Sequence, residues 1–292
     1  MSGGLLYVVA LPIGNAEDVS ARALRVLAEV DLVACEDTRR AGRLLAAHSI
    51  GTRTVSYFEH NESRRTAELL AKLHAGATIA LITDAGTPAI SDPGYRLVRA
   101  AIEAGIRVTA VPGPSAAIAA LSIAGLPTDR FVFEGFLPVK SSERRRVLED
   151  LAREQRTIIC FEAARRLSDS LSEMAEIFGR DRRVAIIREL TKIHEEVTRG
   201  TVEQMATRFA ANEVLGEVTI VVEGVQRTAE GDTKTPAGFD ETAALRLLRE
   251  AGLTLKQASR LVSRLTGASQ RDIYQRAVAA PKPFSKEEAP DE

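Results

Sequence analysis

The sequence has no tryptophan at all, and cysteine, methionine, histidine and tyrosine number only two, three, four and four in 292 residues. Cys35 and Cys160 stand far apart among apolar neighbours, which excludes a disulfide framework and reads as two core thiols. His48, His60, His74 and His194 form no HxxH or HxxxH pair beside a carboxylate, so no structural or catalytic metal is expected. No apolar run approaches the roughly 20 residues of a membrane helix. The first such run, LLYVVAL at 5–11, is broken by Pro12 and Gly14 and lacks a basic lead, so it predicts a buried strand and not a signal peptide. Membrane anchoring is unsupported, and a cytoplasmic protein is expected. Neither a P-loop nor a GxGxxG fingerprint is present, which argues against an ATPase or an ordinary dinucleotide enzyme.

Charge of one sign is also lacking: the net charge is −1, so the chain as a whole does not advertise a nucleic-acid partner. Only seven of the 39 basic residues are lysine. An arginine surplus suits bidentate phosphate contacts and stacking on bases, but a codon bias across a genome gives the same ratio. What is abundant is ordinary: 45% apolar and 27% charged residues belong to a soluble globular protein, long enough for two domains and a small appendage.

Short β-rich runs alternate with amphipathic helical stretches from the start. LLYVVA (5–10), DLVACE (31–36), TRTVSYF (52–58), TIALIT (78–83) and IRVTAV (106–111) are each followed by a helix, the last ending at Gly125. Nearly continuous aliphatic strands with crossover helices predict a mainly parallel sheet covered on both faces, with ligands at the carboxyl ends of its strands. The segment 125–146, with two prolines and a basic cluster, marks a boundary near 128. A second α/β set follows with strands at 131–136, 156–162, 182–190 and 216–225. The expected organisation is therefore an α/β domain at 1–127, a second at 128–226, a Thr/Gly/Pro-rich linker at 227–239, a helical appendage at 240–280 with caps at Asp240, Thr254 and Ser269, and a disordered tail at 281–292.

Four loops at predicted strand ends combine glycine or proline with a polar residue: ALPIGN (10–15), CEDTRR (35–40), TDAGTPAISDPG (83–94) and VPGPSAA (111–117). DAGTP alone is open to two readings. It is either a turn, with Asp84 bonding its own backbone and Gly86 supplying positive φ, or a grip on an adenosyl or ribose group. Ser115 likewise either caps the next helix or also lines a ligand crevice.

The ordered combination ALPIGN, EDTR, DAGTP with SDPG, PGPSA, EGFLP, FE and REL closely resembles the bacterial 16S ribosomal RNA cytidine ribose-2′-O-methyltransferases of the tetrapyrrole-methylase superfamily, from Leu5 to about Ala279. The resemblance implies two α/β lobes of the class III methyltransferase type, with S-adenosyl-L-methionine in the cleft between them, and a C-terminal helix-turn-helix-like domain. By motif, Pro12, Ile13, Asp84, Ala85, Gly86, Thr87, Ser115 and Ala116 would touch the cofactor from one side, and Leu190 and Gly224 from the other. A homodimer acting on 16S RNA within the small subunit is implied as well. ALPIGN replaces the glycine-rich first loop of many superfamily members, which favours the RNA-directed branch.

Methyl transfer from a sulfonium depends mostly on alignment in a dry cleft, but a protonated ribose hydroxyl is a poor nucleophile and a positioned carboxylate would help. Asp37, Glu162 and Glu189, with Glu36, are the strand-end candidates, each with a structural ion pair as its alternative. RNA contacts are expected from Arg39, Arg40, Lys140 and Arg144 to Arg146, and from Lys256, Arg260 and Arg264, which fall on one helix face. A solvated helix face explains the last group equally well. Two other functions compete: a methylase of a tetrapyrrole or other small molecule, and a non-catalytic nucleic-acid-binding regulator.

Overall fold

The computed structural model describes residues 3–210, 215–225, 239–266 and 268–279. They fall into two compact units, divided after Val225. The first unit opens with five alternating strands and helices: β1 (Leu5–Val9), α1 (Ala21–Glu29), β2 (Leu32–Cys35), α2 (Thr38–Ala47), β3 (Thr54–Ser56), α3 (Glu62–His74), β4 (Thr78–Leu81), α4 (Tyr95–Glu103), β5 (Arg107–Val111) and α5 (Ala116–Ala124). The strands pair in the order β3-β2-β4-β1-β5, all parallel. Strict alternation along the central strands explains why both faces are covered. Val33, Cys35, Ala80 and Ile82 point into a core with α1 and α2, while Leu32, Ala34, Ile79 and Leu81 point into one with α3 and α4. Burial among these groups pushes the Cys35 thiol up to about 12, as fits an inert core cysteine.

The second half of the unit comprises β6 (Phe131–Phe136), α6 (Ser141–Leu151), β7 (Thr157–Ala163), α7 (Leu167–Phe178), β8 (Arg183–Arg188), β9 (Glu196–Thr201), α8 (Val202–Ala210) and β10 (Glu217–Val222). Its order is β6-β7-β10-β8-β9, and here the sheet is mixed. β6 and β7 run parallel, whereas β10 runs antiparallel to both β7 and β8. α6, α7 and α8 cover one face, through Leu148, Leu171 and Met205 among others. The other face is covered by α5, whose Ala117, Ala120, Leu121 and Ala124 pack on Ile159, Ala185, Ile187 and Val221. Although α5 precedes the boundary expected near 128, it is packed on the second sheet, so that boundary divides the sequence and not the packing. Its nine residues, AAIAALSIA, bury Ala117, Ala120, Leu121 and Ala124 against the sheet and leave Ile118 half exposed on the other side.

The second unit holds α9 (Glu241–Glu250), α10 (Leu255–Thr266) and α11 (Gln270–Ala279) around Leu245, Ala258, Val262, Ile273 and Ala277. Each start is capped where the sequence placed a cap. Asp240 accepts from the Thr242 and Ala243 N–H groups at 2.9 and 3.1 Å. Thr254 and Gln257 exchange hydrogen bonds in a capping box. Ser269 accepts from the Asp272 N–H at 3.5 Å. Arg276, on α11, forks onto Glu241 at 3.0 to 3.3 Å and so serves the packing of the three helices. All of the expected linker at 227–239 except Phe239, and the tail at 281–292, lie outside the described residues. Among the described residues, no helix is long and apolar enough to cross a membrane.

Candidate active site

Every strand of a parallel sheet delivers its carboxyl end to the same edge, and in the first sheet that edge carries the four motif loops. They are tied to one another. The Leu11 N–H donates to the Gly86 carbonyl at 2.9 Å and the Gly86 N–H returns a bond to Leu11 at 3.1 Å. Gly86 has φ +71°, a conformation glycine adopts without strain. The Thr87 hydroxyl donates to the Pro114 carbonyl at 3.3 Å, which joins the DAGTP loop to PGPSA. Gly14 lies so close to the segment after β8 that a Cβ would stand 2.6 Å from Lys192 Cγ and 2.9 Å from the Leu190 carbonyl oxygen. The adjacent Asn15 N–H donates to Thr191 Oγ1 at 3.1 Å, linking the two halves of the unit directly.

Between the two sheets lies a cavity of about 460 Å³. Its first wall is Ile13, Glu36, Asp84 to Thr87, Ile90 to Asp92, Ser115 and Ala116. The opposite wall is Phe136, Phe161 to Ala163, Ile187 and Leu190, at the ends of β6, β7 and β8, together with Gly216 to Thr219 at the start of β10. A smaller pocket of about 330 Å³ adjoins it through Ile13, Arg40, Asp84, Ala85 and Glu217, and adds Pro12, Gly14, Asp37 and Lys192. Both volumes suit a small-molecule ligand. Of the five non-glycine residues with positive φ among those described, Ser91 lines the cavity, and Ala89, Glu189 and Thr191 adjoin in sequence the lining residues Ile90 and Leu190. Such strain persists only where surrounding contacts impose it, and it gathers at ligand sites.

The expected cofactor residues converge here with one exception. Ile13, Asp84, Ala85, Gly86, Thr87, Ser115, Ala116 and Leu190 line the larger cavity, and Pro12 the smaller. Gly224 does not. Because β10 runs against its neighbours, its carboxyl end points away from the cleft, and Gly224 packs on the backbone of Gln155 and Arg156 at the far edge of the sheet. Gly224 lies beyond the end of β10 and five residues past Thr219, the nearest cavity-lining residue of that strand, about 17 Å at 3.3 Å per residue.

All three expected catalytic carboxylates prove to be engaged. Asp37 caps α2, accepting from the Arg39 and Arg40 N–H groups at 2.7 and 3.4 Å, and the Arg39 N–H above all holds its carboxyl below the usual range. Glu162 touches the cavity but is only 1% exposed. It accepts from the Ser170 hydroxyl at 2.5 Å and the Ala163 N–H at 2.7 Å, and pairs with Arg166 at 2.5 Å. Glu189 accepts from the Glu217 N–H at 2.9 Å and Lys192 at 3.0 Å, and its carboxyl too is held low, chiefly by that N–H. Each geometry is that of a structural partner; none presents an unmatched oxygen to the cavity.

Among the described residues, the pocket carboxyls without an ion pair are Glu36 and Asp92. Burial, then the charge of Asp84, raises Glu36 above its ordinary value. Asp92 is pushed up to about 6 by burial and by Glu36, with the Thr83 hydroxyl partly offsetting the rise. Asp84 itself is matched by Arg40 at 3.1 Å and accepts from the Asp37 N–H at 3.2 Å. Sequence reasoning treated SDPG as part of a motif and did not single out Asp92, although its position one residue before the proline of a strained turn was the available signal.

The basic candidates separate in the same way. Arg39 is open, with its side chain 89% exposed. Arg40 faces both pockets, and Lys140 is exposed but leans on Glu143 at 3.0 Å. Arg144 is not available for RNA: it is 4% exposed and donates to Glu173 at 2.7 and 2.9 Å and more weakly to the Pro138 and Val139 carbonyls. Lys256 and Arg260 are exposed on α10, and the Arg264 side chain lies outside the described residues.

The family model described as Tetrapyrrole (Corrin/Porphyrin) Methylases matches residues 5–206, and the one described as the RsmI C-terminal HTH domain matches residues 238–280. Proteins named ribosomal RNA small subunit methyltransferase I are similar over nearly their whole length. That of Synechocystis sp. is 47% identical over 93% of this chain and 96% of its own, and that of Pseudomonas aeruginosa 46% identical over 95% and 98%. The chain belongs to the ribosomal RNA small subunit methyltransferase I family of tetrapyrrole methylases. Solved structures place the wider fold. Uroporphyrin-III-C-methyltransferase of Thermus thermophilus superposes with a TM-score of 0.55 at 23% identity, covering 75% of this chain and 94% of that one. A form of the Thermus enzyme complexed with S-adenyl homocysteine gives a TM-score of 0.53 at 21% identity, covering 76% and 97%.

Proposed function

We propose that this protein transfers a methyl group from S-adenosylmethionine to the ribose 2′-oxygen of a cytidine in 16S ribosomal RNA, as a cytoplasmic homodimer acting on the small subunit. The observation that carries this reading is the union, in one chain, of the methylase cleft with a capped three-helix unit bearing exposed Lys256 and Arg260. The similarity to methyltransferase I proteins extends across both parts.

The cavity suits the cofactor on chemical grounds. Its carboxyls Glu36, Asp84 and Asp92 favour a ligand carrying sulfonium and ammonium charge, while Ile13, Ala85, Ala116, Ile187 and Leu190 offer apolar surface to an adenosyl group. Bound there, the cofactor supplies an electrophilic methyl. The protein's own residues align and desolvate. The DAGTP and PGPSA loops, fixed to each other by Thr87, hold one wall rigid, and the Gly14 contact holds it at a set distance from Leu190. On the other wall Phe136 is 60% exposed at the rim, edge-on to Phe161 with ring centres 5.3 Å apart, and gives an unstacked base a face to rest on. Arg39, beside the smaller pocket, is paired with Asp37 at 3.3 Å but has its side chain 89% exposed, and so offers an open cation to the RNA backbone.

The test is transfer of labelled methyl to small ribosomal subunits from a strain lacking this protein, followed by nucleoside analysis. Label in 2′-O-methylcytidine is expected. Cofactor binding without label in RNA would replace this reading with a small-molecule methylase, and label in another nucleoside would move the target.

A further inference from the structure

We propose that Asp92 is the proton acceptor of the reaction, taking the hydrogen of the attacking hydroxyl from within the cavity wall. The inference rests on the reading of the cleft as a ribose methyltransferase site. Its first support is elimination by geometry. Of the carboxylates that touch either pocket, Asp37 is spent on the α2 cap, Glu162 on Arg166, Ser170 and the Ala163 N–H, and Glu217 on Lys192 at 2.9 Å. Asp84 is held by Arg40. Glu36 and Asp92 remain, and Glu36 still has Arg40 among the charges acting on it, whereas Asp92 has no cation partner among the described residues.

The second support is how Asp92 is held. Its turn is braced from behind: Gly94 donates its N–H to Glu62 at 2.9 Å, and Glu62 is tied in turn to Arg96 at 3.6 Å. Ala89 accepts nothing from this brace but donates its N–H to the Pro93 carbonyl at 3.3 Å, closing the loop on itself. Ala89 and Ser91 sit at φ +70° and +61°, strain that the closed loop maintains. The charges facing Asp92 are Glu36 after β2 and Asp84 after β4, with Glu162 and Glu217 across the cavity, each of the last three matched by Arg40, Arg166 or Lys192. A carboxylate so placed binds a proton near neutrality, where a general base works best.

Atoms balance without any further reactant. The ribose O–H bond breaks as its proton passes to an Asp92 carboxylate oxygen. The oxygen's electron pair forms the new O–CH₃ bond, and the C–S pair stays on sulfur as a neutral thioether. Asp92 then returns the proton to water.

The experiment compares wild type with Asp92→Asn and Asp92→Ser, using small ribosomal subunits, cofactor affinity and thermal midpoints between pH 5 and 8. Single-turnover methyl transfer in Asp92→Asn should fall by about 10²–10³-fold with cofactor affinity held within about threefold. The wild-type rate should decline with unit slope below about pH 6, and that limb should vanish in both variants. Thermal midpoints read the titration without turnover: the gap between wild type and Asp92→Asn should narrow as the pH falls through about 6. An Asp92→Asn rate within threefold of wild type, an unchanged acid limb, or a gap that does not move with pH overturns the proposal. If wild type labels no RNA, the parent reading fails instead, and the thermal midpoints still report whether Asp92 titrates there.

Discussion

The two walls of the cavity handle charge in opposite ways. The wall built on the first sheet presents Asp92, on a strained turn and with no cation partner among the described residues, and Glu36, which feels the charge of an Arg40 already paired with Asp84. On the wall built on the second sheet, and just behind it, each carboxylate has its cation: Glu162 with Arg166 and Glu217 with Lys192 at the cavity, Glu189 with Lys192 and Glu196 with Arg188 and Arg208 behind them. Unmatched charge can respond to a ligand or give up and take a proton. Matched charge fixes a surface in place, and breaking one partner leaves the other stranded. The first wall is therefore chemical and the second architectural.

The sharpest way to break that contrast is Arg144→Ala, behind the second wall. It strands Glu173 in a half-closed site and should lower stability by about 3–5 kcal/mol in denaturant unfolding. Arg39→Ala, equally basic in the sequence but open, should change stability by less than about 0.5 kcal/mol. Next in size are two glycines. Gly224→Ala drives a Cβ to 2.1 Å from the Gln155 carbonyl oxygen, and should cost about 3 kcal/mol of stability with cofactor affinity unaltered. Gly14→Val forces the first wall off Leu190 and Lys192, and should weaken cofactor binding by about 100-fold in calorimetry while the two sheets stay folded. Equal losses of cofactor affinity in both variants would return Gly224 to the site.

Smaller, and of opposite sign, is the effect of removing the unmatched charge. The folded-state value for Asp92, about 6, lies above its ordinary 3.8, so the carboxylate is ionised at neutral pH at the expense of the fold. Wild type then gains stability on acidification from about pH 7 toward 4, and Asp92→Asn lacks that gain. At pH 7.5 the variant should be the more stable by about 1–2 kcal/mol, the full shift being discounted for partial exposure. A variant both more stable and less active would mark Asp92 as a residue kept for chemistry.

How far the sequence could be read follows the same division. The five parallel strands of the first sheet have continuous aliphatic runs and identical direction, so the four loops picked out by the rule of ligands at carboxyl ends do gather at one edge, where they line the pockets. In the second sheet the same rule misplaced Gly224, because nothing in GEVTIVVEGV signals that β10 is reversed. β9, with the sequence EVTRGT, was missed because a polar edge strand alternates too weakly to stand out. Arg144 was misread as free, yet it shares the Leu148 and Leu151 face of α6 at spacings of four and seven, a pattern that places it inward. That the expected catalytic carboxylates are engaged is something no spacing reveals: whether an acid is matched depends on partners from other elements, as Glu189 is matched by the Glu217 N–H of β10 and Glu162 by Ser170 of α7.

The helical unit repeats the contrast on a smaller scale and gives its finest test. Arg276 is matched by Glu241, whereas Lys256 and Arg260 are exposed without a partner among the described residues. If the open cations meet phosphates, Lys256→Ala and Arg260→Ala should each weaken RNA binding a few-fold and reduce the slope of log affinity against log salt by about one. Arg276→Ala should leave that slope alone and loosen the three helices instead, by about 1 kcal/mol or less for an ion pair with one exposed end. A salt slope that responds equally to all three arginine and lysine changes would mean that matching does not govern which cations reach the RNA.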